Sequence, residues 1–537
     1  MLDRHEAEDQ IASDLNRMDG RSLRWALTLF FSLILLITGL LIIIFREKDL
    51  YIPFRFSSSV ELIEHVYPDS FHVEELIAHA RQAVFARLDR YSGYLEPLEL
   101  DRVSEEFSGS YGGIGITVVG DDEGLAVMSV REDGPAGRAG IRTGDIIIRV
   151  DSTELRGLDP YRASFLLRGD EGTSVQVTIV RRNLGDSLEL TLTREKLRLI
   201  HIPYAGLTQD NSLYIRIIDF ESGLTEDMIG ILDSLYLKNS HTVKAVIIDL
   251  RGNPGGLLNE AVTASDLFLN SGHLIVGVKG RSRWHDRRFF SKGVDITKGL
   301  PMAVLVDRGS ASAAEIMAGS LKFAGRAVLV GDTTFGKGLV QEYRRLPDGA
   351  GIRLTTSRYF FEGDIFLNPS GDSTFDEGAG IPPDYCFQSD EINPFVLSLE
   401  STPLIREFAI ARKDDIVTAS PFKEPSPQWL EDFFAYAHRQ GFAYVSPLTD
   451  LVESVRNAVS LEKHSRDAIS AIDNIRNIAR SDDRLQLRNF RDYIKRRIYQ
   501  IALNAEYGTA AEYREAIVPS LPEIRLAEKI LHYWFLN

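Results

Sequence analysis

The stretch Gly309-Ser310-Ala311-Ser312-Ala313-Ala314-Glu315-Ile316, with its continuation Thr334-Phe335-Gly336-Lys337-Gly338-Leu339-Val340-Gln341, decides how the rest of the chain is read. Upstream, residues 302–307 form a short apolar run suited to a buried strand. The small residues after it allow a sharp turn, and 315–324 reads as a helix. A serine on such a turn has its hydroxyl pushed out of the core, beside unpaired helix N–H groups. Residues 327–330 form a second apolar run, and consecutive strands of one sheet often lie side by side. Ser312 and Lys337, 25 positions apart, are therefore expected to meet. A serine hydroxyl needs a base, and a lysine can be that base once burial lowers its pKa. Phe335, Leu339 and Val340 are expected to wall the amine, while Gly336 and Gly338 let the backbone approach closely. Gln341 can orient the amine without adding charge.

The chain has 537 residues, too many for one ordinary domain, and three or four are expected. A net charge of −16 argues against non-specific nucleic-acid binding. The single cysteine, Cys386, excludes an intramolecular disulfide and a cysteine-rich zinc site. None of the 11 histidines falls in a metal-ligand spacing, so neither metal nor cofactor is expected.

Residues 25–45 are 21 positions without a charge, enough for a membrane-crossing helix. No small-residue cleavage site follows, so an uncleaved anchor is expected rather than a signal peptide. Arg4, Arg17, Arg21 and Arg24 place residues 1–24 in the cytoplasm and the bulk of the chain outside. A bacterial inner membrane facing the periplasm is the expected location. Residues 46–60 read as a linker, and 60–94 as helices interrupted at Pro68, with 46–106 forming a collar that packs or dimerises and carries no chemistry.

Tyr111-Gly112-Gly113-Ile114-Gly115-Ile116-Thr117-Val118 opens a different style of chain. With Gly134-Pro135-Ala136 and Ala139-Gly140-Ile141-Arg142-Thr143-Gly144-Asp145-Ile146 in order, residues 107–195 resemble a PDZ domain. Such domains hold a peptide C-terminus on the N–H groups of a glycine loop, here Gly113, Ile114, Gly115 and Ile116, while the peptide adds as a strand.

Residues 196–386 alternate strands and helices, as an α/β sheet with crossovers does. Residues 245–250 read as a strand buried on both faces. It ends in Arg251-Gly252-Asn253-Pro254-Gly255-Gly256, a glycine turn where α/β sites gather. Its N–H groups suit an oxyanion, since no Walker lysine follows. Together, Asp249-Leu250-Arg251-Gly252-Asn253-Pro254-Gly255-Gly256 and the two motifs around Ser312 and Lys337 resemble those of the C-terminal processing peptidases, also called tail-specific proteases. Gly378-Ala379-Gly380-Ile381-Pro382-Pro383-Asp384 resembles that family's closing motif, and the likeness covers about residues 85–386.

The resemblance implies a multidomain α/β serine endopeptidase without cofactor, cleaving proteins near their C-termini. By it, Ser312 is the nucleophile, with Ser310 as the alternative, Lys337 is the general base and Gln341 positions the lysine. Backbone N–H groups of Ala313 and of Gly255 or Gly256 hold the oxyanion, and Arg168 helps sense the bound tail. The expected partners are protein tails and a membrane, with an adaptor or a second copy also open, and no nucleic acid. A PDZ scaffold with little catalysis is the competing reading, and an enzyme blocked by its PDZ domain until a tail binds is a third. Residues 387–537 read as a helical region for packing or oligomerisation, whose apolar end 531–536 docks on the core or a neighbour.

Overall fold

The computed structural model describes residues 20–46, 48–69, 72–107, 109–131, 133–181, 187–236, 242–281, 283–367, 380–387, 393–418, 428–444, 447–461, 469–475 and 487–536. The chain divides into two units, Met1–Leu88 and Asp89–Asn537.

The first unit holds three helices, Gly20–Arg46, Lys48–Val66 and Val73–Phe85. The first carries the uncharged run, and Trp25, Leu29, Phe31, Leu35 and Leu36 on it are exposed. Among the described residues, no helix is long and apolar enough to cross a membrane; in this helix the described side chains are Trp25 and those of 27–39. Residues 48–60 are helical, not the linker expected from the sequence. The apolar residues of that helix do not gather on one face, so periodicity gave no signal.

In the second unit, a five-strand meander forms the PDZ core: Ile116–Asp121, Gly124–Val130, Ile146–Val150, Ser174–Val180 and Ser187–Thr193, in that order. Leu125, Val127, Ile147, Val150, Val175, Val177 and Ile179 fill its interior. The short helix Pro135–Arg138 and the helix Pro160–Leu166 flank it. Asp159 caps the latter by accepting from Arg162 N–H at 3.0 Å, with Pro160 in the first turn. The chain enters through Ser110–Gly113 and leaves through Glu195–Arg198, and these two strands pair antiparallel.

A six-stranded sheet runs Tyr204–Leu207, Ser212–Arg216, Ala245–Asp249, Met302–Val306, Val328–Gly331, Tyr385–Cys386. Every pair but the first is parallel. Strand Ala245–Asp249 is buried along its whole length. Val246 and Ile248 face the main core with Phe220, Met317 and Leu321. Ala245 and Ile247 face the other way, against Ile524, Ala527, Ile530 and Leu531 of helix Pro522–Leu536. Thus residues 524–531 dock on this chain's own core; of the end expected to dock, Leu531 is buried, His532 and Tyr533 are exposed, and the side chains of 534–536 lie outside the described residues. A second sheet centres on the long strand Gly351–Phe361, which pairs with Gly93–Leu95, Leu274–Gly280 and Leu339–Arg345. Pairing of Gly93 with Arg353 and Leu95 with Gly351 ties residues of the expected collar into this second sheet. The helices between Pro394 and Tyr507 build a core of their own around Phe395, Phe408, Phe433 and Ile498.

Candidate active site

Strands Met302–Val306 and Val328–Gly331 lie side by side, in register from Ala303–Val328 to Val306–Gly331. Their C-terminal ends therefore deliver the serine turn and the lysine loop to one place. Ser312 ends that turn at φ 54° and ψ −113°, immediately before helix Ala313–Phe323. Such a backbone conformation costs about 1–3 kcal/mol and persists only where neighbours impose it. Ser310, fully buried, donates from Oγ to Leu250 O at 2.8 Å and accepts from Asp307 N–H at 3.0 Å. Ala311 N–H donates to Asn253 O at 2.9 Å. Ser310 is thus committed to holding the turn, which separates it from Ser312 as a nucleophile.

Glu315 unites the two motifs. It is fully buried, and its Oε2 accepts from Ser312 N–H at 2.8 Å and from Lys337 N–H at 2.9 Å. Its Oε1 accepts from Thr334 Oγ1 at 2.6 Å and Gly336 N–H at 2.7 Å. Burial pushes this carboxyl up, against the pull of its four donors. Phe335 N–H adds a bond to Ser310 O at 3.0 Å. Behind the loop, Thr334 Oγ1 accepts from Ile381 N–H at 2.7 Å. A Cβ on Gly380 would lie 1.9 Å from Thr334 O, which accounts for glycine in the closing motif. Asp384 bonds Leu329 N–H and pairs with Lys322, while Gly378 and Ala379 lie outside the described residues.

Lys337 has its amine 5.0 Å from the centre of the Tyr91 ring. Burial lowers its pKa, Arg353 and Arg90 lower it further, and Glu315 works the other way. The wall is therefore less apolar than the sequence suggested, and part of it comes from residues read as a collar without chemistry. Arg353 Nε donates to Tyr91 O at 2.5 Å, and Thr355 N–H to Ser92 Oγ at 3.1 Å, which hold that segment against the site. The Tyr359 phenol borders Ser312; burial pushes it up to about 12, with the Ser312 hydroxyl pulling the other way. No hydrogen bond joins the side chains of Ser312, Lys337 and Gln341. Gln341 follows a register shift in its strand, and its buried Nε2 has no partner among the described residues.

The glycine turn abuts the serine. A Cβ on Gly255, at φ +104°, would lie 2.8 Å from Ser312 Cβ and 2.9 Å from Ala313 N. Gly255 N–H is engaged by Asn253 Oδ1 at 2.9 Å, whereas Gly256 N–H and Ala313 N–H have no acceptor among the described residues. Of the pair Gly255–Gly256, it is thus the Gly256 N–H that Asn253 leaves unengaged. At the root of the turn, Asp249 bonds Arg251, Arg216 and Tyr214. Burial opposes its charge, but the two arginines outweigh that and hold its carboxyl far below the ordinary range. Gly255→Ala is expected to cut kcat on a tail peptide roughly 100-fold, because the new methyl displaces the turn from Ala313. Steady-state kinetics on the folded variant checks this.

In the PDZ domain, Gly113 closes the entry strand opposite Glu195, and Gly115 turns the chain at φ +82°. Ile114 is buried in the domain core, so only its backbone is left for a ligand. Ile116 opens an edge strand, the place where a peptide adds. Arg168 stacks its guanidinium 4.7 Å from the Tyr111 ring and 5.5 Å from Phe165, and Gly169 N–H donates to Gly112 O at 3.1 Å. Arg168 therefore touches the strand by which the chain enters the domain. Among the described residues, no group of three or more His, Cys, Asp or Glu side chains is placed to hold a metal.

Two profiles match the chain: that described as Peptidase family S41 at residues 211–386, and the PDZ domain at 112–192. The carboxy-terminal-processing protease of Bartonella bacilliformis is 33% identical over 331 residues, covering 62% of this chain and 74% of the relative. The carboxy-terminal processing protease CtpA of Bacillus subtilis is 31% identical, covering 59% of this chain and 67% of its own. Among solved structures, the photosystem II D1 C-terminal processing protease is 27% identical, covers 61% of this chain and 85% of its own, and has a TM-score of 0.37.

Proposed function

The chain belongs to the carboxy-terminal-processing proteases of peptidase family S41, and we propose on that premise that Ser312 and Lys337 are the nucleophile and general base of its serine-peptidase reaction. The observation that carries this reading is the shared Glu315 oxygen, on which the Ser312 and Lys337 N–H groups converge. The neutral Lys337 amine takes the Ser312 proton as Oγ attacks a peptide carbonyl. Negative charge develops on the carbonyl oxygen, where Gly256 N–H and Ala313 N–H receive it. The lysine ammonium then protonates the leaving amine, and the acyl group stays on Ser312. Water, deprotonated by the same lysine, releases the carboxylic acid and restores the hydroxyl.

The PDZ domain supplies tail recognition. We assign the carboxylate to the N–H groups of the Gly113–Ile116 loop and a tail-sensing role to Arg168. The absent Ser312–Lys337 bond and the unpartnered Gln341 Nε2 favour a gated enzyme, in which tail binding brings Gln341 Oε1 to the amine. Mass spectrometry of a tail peptide incubated with the full chain tests both parts. Cleavage that Ser312→Ala leaves intact refutes the site. Activity in Arg168→Ala that responds to tail peptide as the parent does refutes the sensing role.

We also propose that residues 25–45 anchor the protein, with residues 1–24 cytoplasmic and the catalytic unit on the far side of a bacterial inner membrane. The uncharged run and the exposed Trp25, Leu29, Phe31 and Leu35 support this. Release of the protein from membranes by alkaline carbonate would refute it.

A further inference from the structure

Between the PDZ domain and the glycine turn lies a histidine to which the mechanism assigns nothing. His201 comes three residues after the strand Glu195–Arg198, by which the chain leaves the PDZ domain. Its side chain is 0% exposed, and Nδ1 lies 2.6 Å from Asp219 Oδ1. Its carbonyl accepts from Ile218 N–H at 3.0 Å, and Asp219 Oδ1 also accepts from Glu221 N–H at 3.2 Å. Backbone and side chain of His201 thus hold the two residues before Phe220, and Asp219 in turn holds the one after it.

Phe220 is the next link. It is fully buried, its N–H donates to Gly255 O at 2.9 Å, and its carbonyl accepts from Leu257 N–H at 2.8 Å. Phe220 and Gly256 form a parallel bridge, and a Cβ on Gly256 would lie 2.6 Å from Phe220 O. The orientation of Gly256 N–H is therefore set by where Phe220 sits. Further along, Glu260, on the helix that follows the turn, accepts from Gly223 N–H and Thr225 N–H. Arg198, in the exit strand, pairs with Asp227 at 2.9 Å.

If this site needed only packing, an apolar side chain would fill it without desolvating an imidazole. Burial works against a charged His201, yet Asp219 and then Asp227 favour it and its pKa is raised; its buried Nε2 has no partner among the described residues. The 2.6 Å hydrogen bond between Nδ1 and Asp219 Oδ1 thus ties His201 to the loop that carries Phe220.

We propose that His201 is a positioning residue of the oxyanion hole, acting through Asp219 and Phe220 on the Gly255–Gly256 turn. The inference rests on the assignment of Ser312 and of that turn to the reaction. It also gives movement at the PDZ exit strand a direct route to the donors of the site, since tie and strand lie within the same few residues.

The test is made on the full chain with His201→Gln, Asp219→Asn and the double variant, beside Ser312→Ala. Asp219→Asn matters most, because Asp219 is one-quarter exposed and the substitution is nearly isosteric. Each single variant is expected to lose roughly 10- to 100-fold in kcat with KM little changed, as a displaced oxyanion donor does. A peptide boronate, which forms a tetrahedral adduct on the serine, should weaken by the same factor, while affinity for an uncleaved tail peptide stays the same. The double variant should be no worse than the poorer single one, because the two residues act as a unit. Single variants with kcat within about twofold of the parent would overturn the proposal, as would losses that multiply in the double variant. Loss matched by a fall in the amplitude of the acylation burst would also overturn it, since that reads as less folded enzyme. An active Ser312→Ala would instead overturn the site assignment, so the two failures are distinguishable.

Discussion

Lys337→Arg abolishes tail-peptide cleavage and leaves the fold and the tail affinity as they were; this is the expected result with the largest effect, shared with Ser312→Ala. Arginine keeps the positive charge and much of the length but cannot give up its proton in a protein, so it cannot act as base. Lysine can, because burial with Arg353 and Arg90 nearby lowers its pKa. The loss should reach at least about 10⁴-fold in kcat, the scale on which coupled nucleophile and base fail together. The sign of the pH dependence follows from the same cause. The active form is the neutral amine, so kcat/KM rises as pH climbs through the lowered pKa, and this limb lies below the ordinary lysine range. Arg353→Gln removes a like charge, raises the lysine pKa and moves the limb to higher pH, whereas Arg353→Lys moves it less. A limb that stays in place in Arg353→Gln, or turnover by Lys337→Arg, would remove Lys337 from the role of base. Ser310→Ala gives the complementary result. It loses the bonds to Leu250 and Asp307 and lowers Tm, yet keeps a nucleophile.

What could be read in the sequence follows from how local each signal is. The runs at Ala245–Asp249, Met302–Val306 and Val328–Gly331 are legible as strands because every residue in all three is buried, and the single polar one, Asp249, comes only at its strand's end. The serine turn and the lysine loop each carry their chemistry in eight consecutive residues, and adjacent parallel strands bring them together. Tyr91 gave no such signal. It reaches Lys337 only because Gly93–Leu95 pairs with Gly351–Phe361, a contact between distant parts of the chain that leaves no periodicity behind. The choice between Gly255 and Gly256 was hidden for another reason. It turns on which N–H Asn253 Oδ1 occupies, and spacing carries no information on that. Glu315 was legible in principle. Ser312-x-x-Glu315 has the form of a capping box, in which the acid three residues on returns to the N-terminal N–H. Read only as the start of a helix, it conceals a carboxylate that also holds the lysine loop.

That carboxylate sets the second large effect. Glu315→Gln is expected to lower kcat roughly 100-fold and to destabilise the protein by about 3 kcal/mol. Each Glu315 oxygen accepts from two donors, Thr334 Oγ1 and Gly336 N–H at one, Ser312 N–H and Lys337 N–H at the other. An amide has a single acceptor oxygen: facing Ser312 and Lys337 its NH₂ confronts two N–H donors with nothing to accept them, and facing the other pair it confronts Gly336 N–H, while the Thr334 hydroxyl can turn to accept. If the NH₂ faces Ser312 and Lys337, the serine turn and the lysine loop are pushed apart, and a shift of about 1 Å is enough to cost two orders of magnitude. If it faces Thr334 and Gly336, the Gly336 N–H loses its acceptor and the lysine loop shifts there instead, while Thr334 Oγ1 keeps the Ile381 N–H. Thr334→Val separates the cases. It removes one donor from Glu315 and one acceptor from Ile381 but leaves the oxygen shared by Ser312 and Lys337 intact, so it should lose stability while keeping most of kcat. A Glu315→Gln enzyme with the parent's kcat would mean that strand pairing alone places the lysine. With turnover lost and the Thr334→Val enzyme still active, the buried acid is what holds nucleophile and base in register.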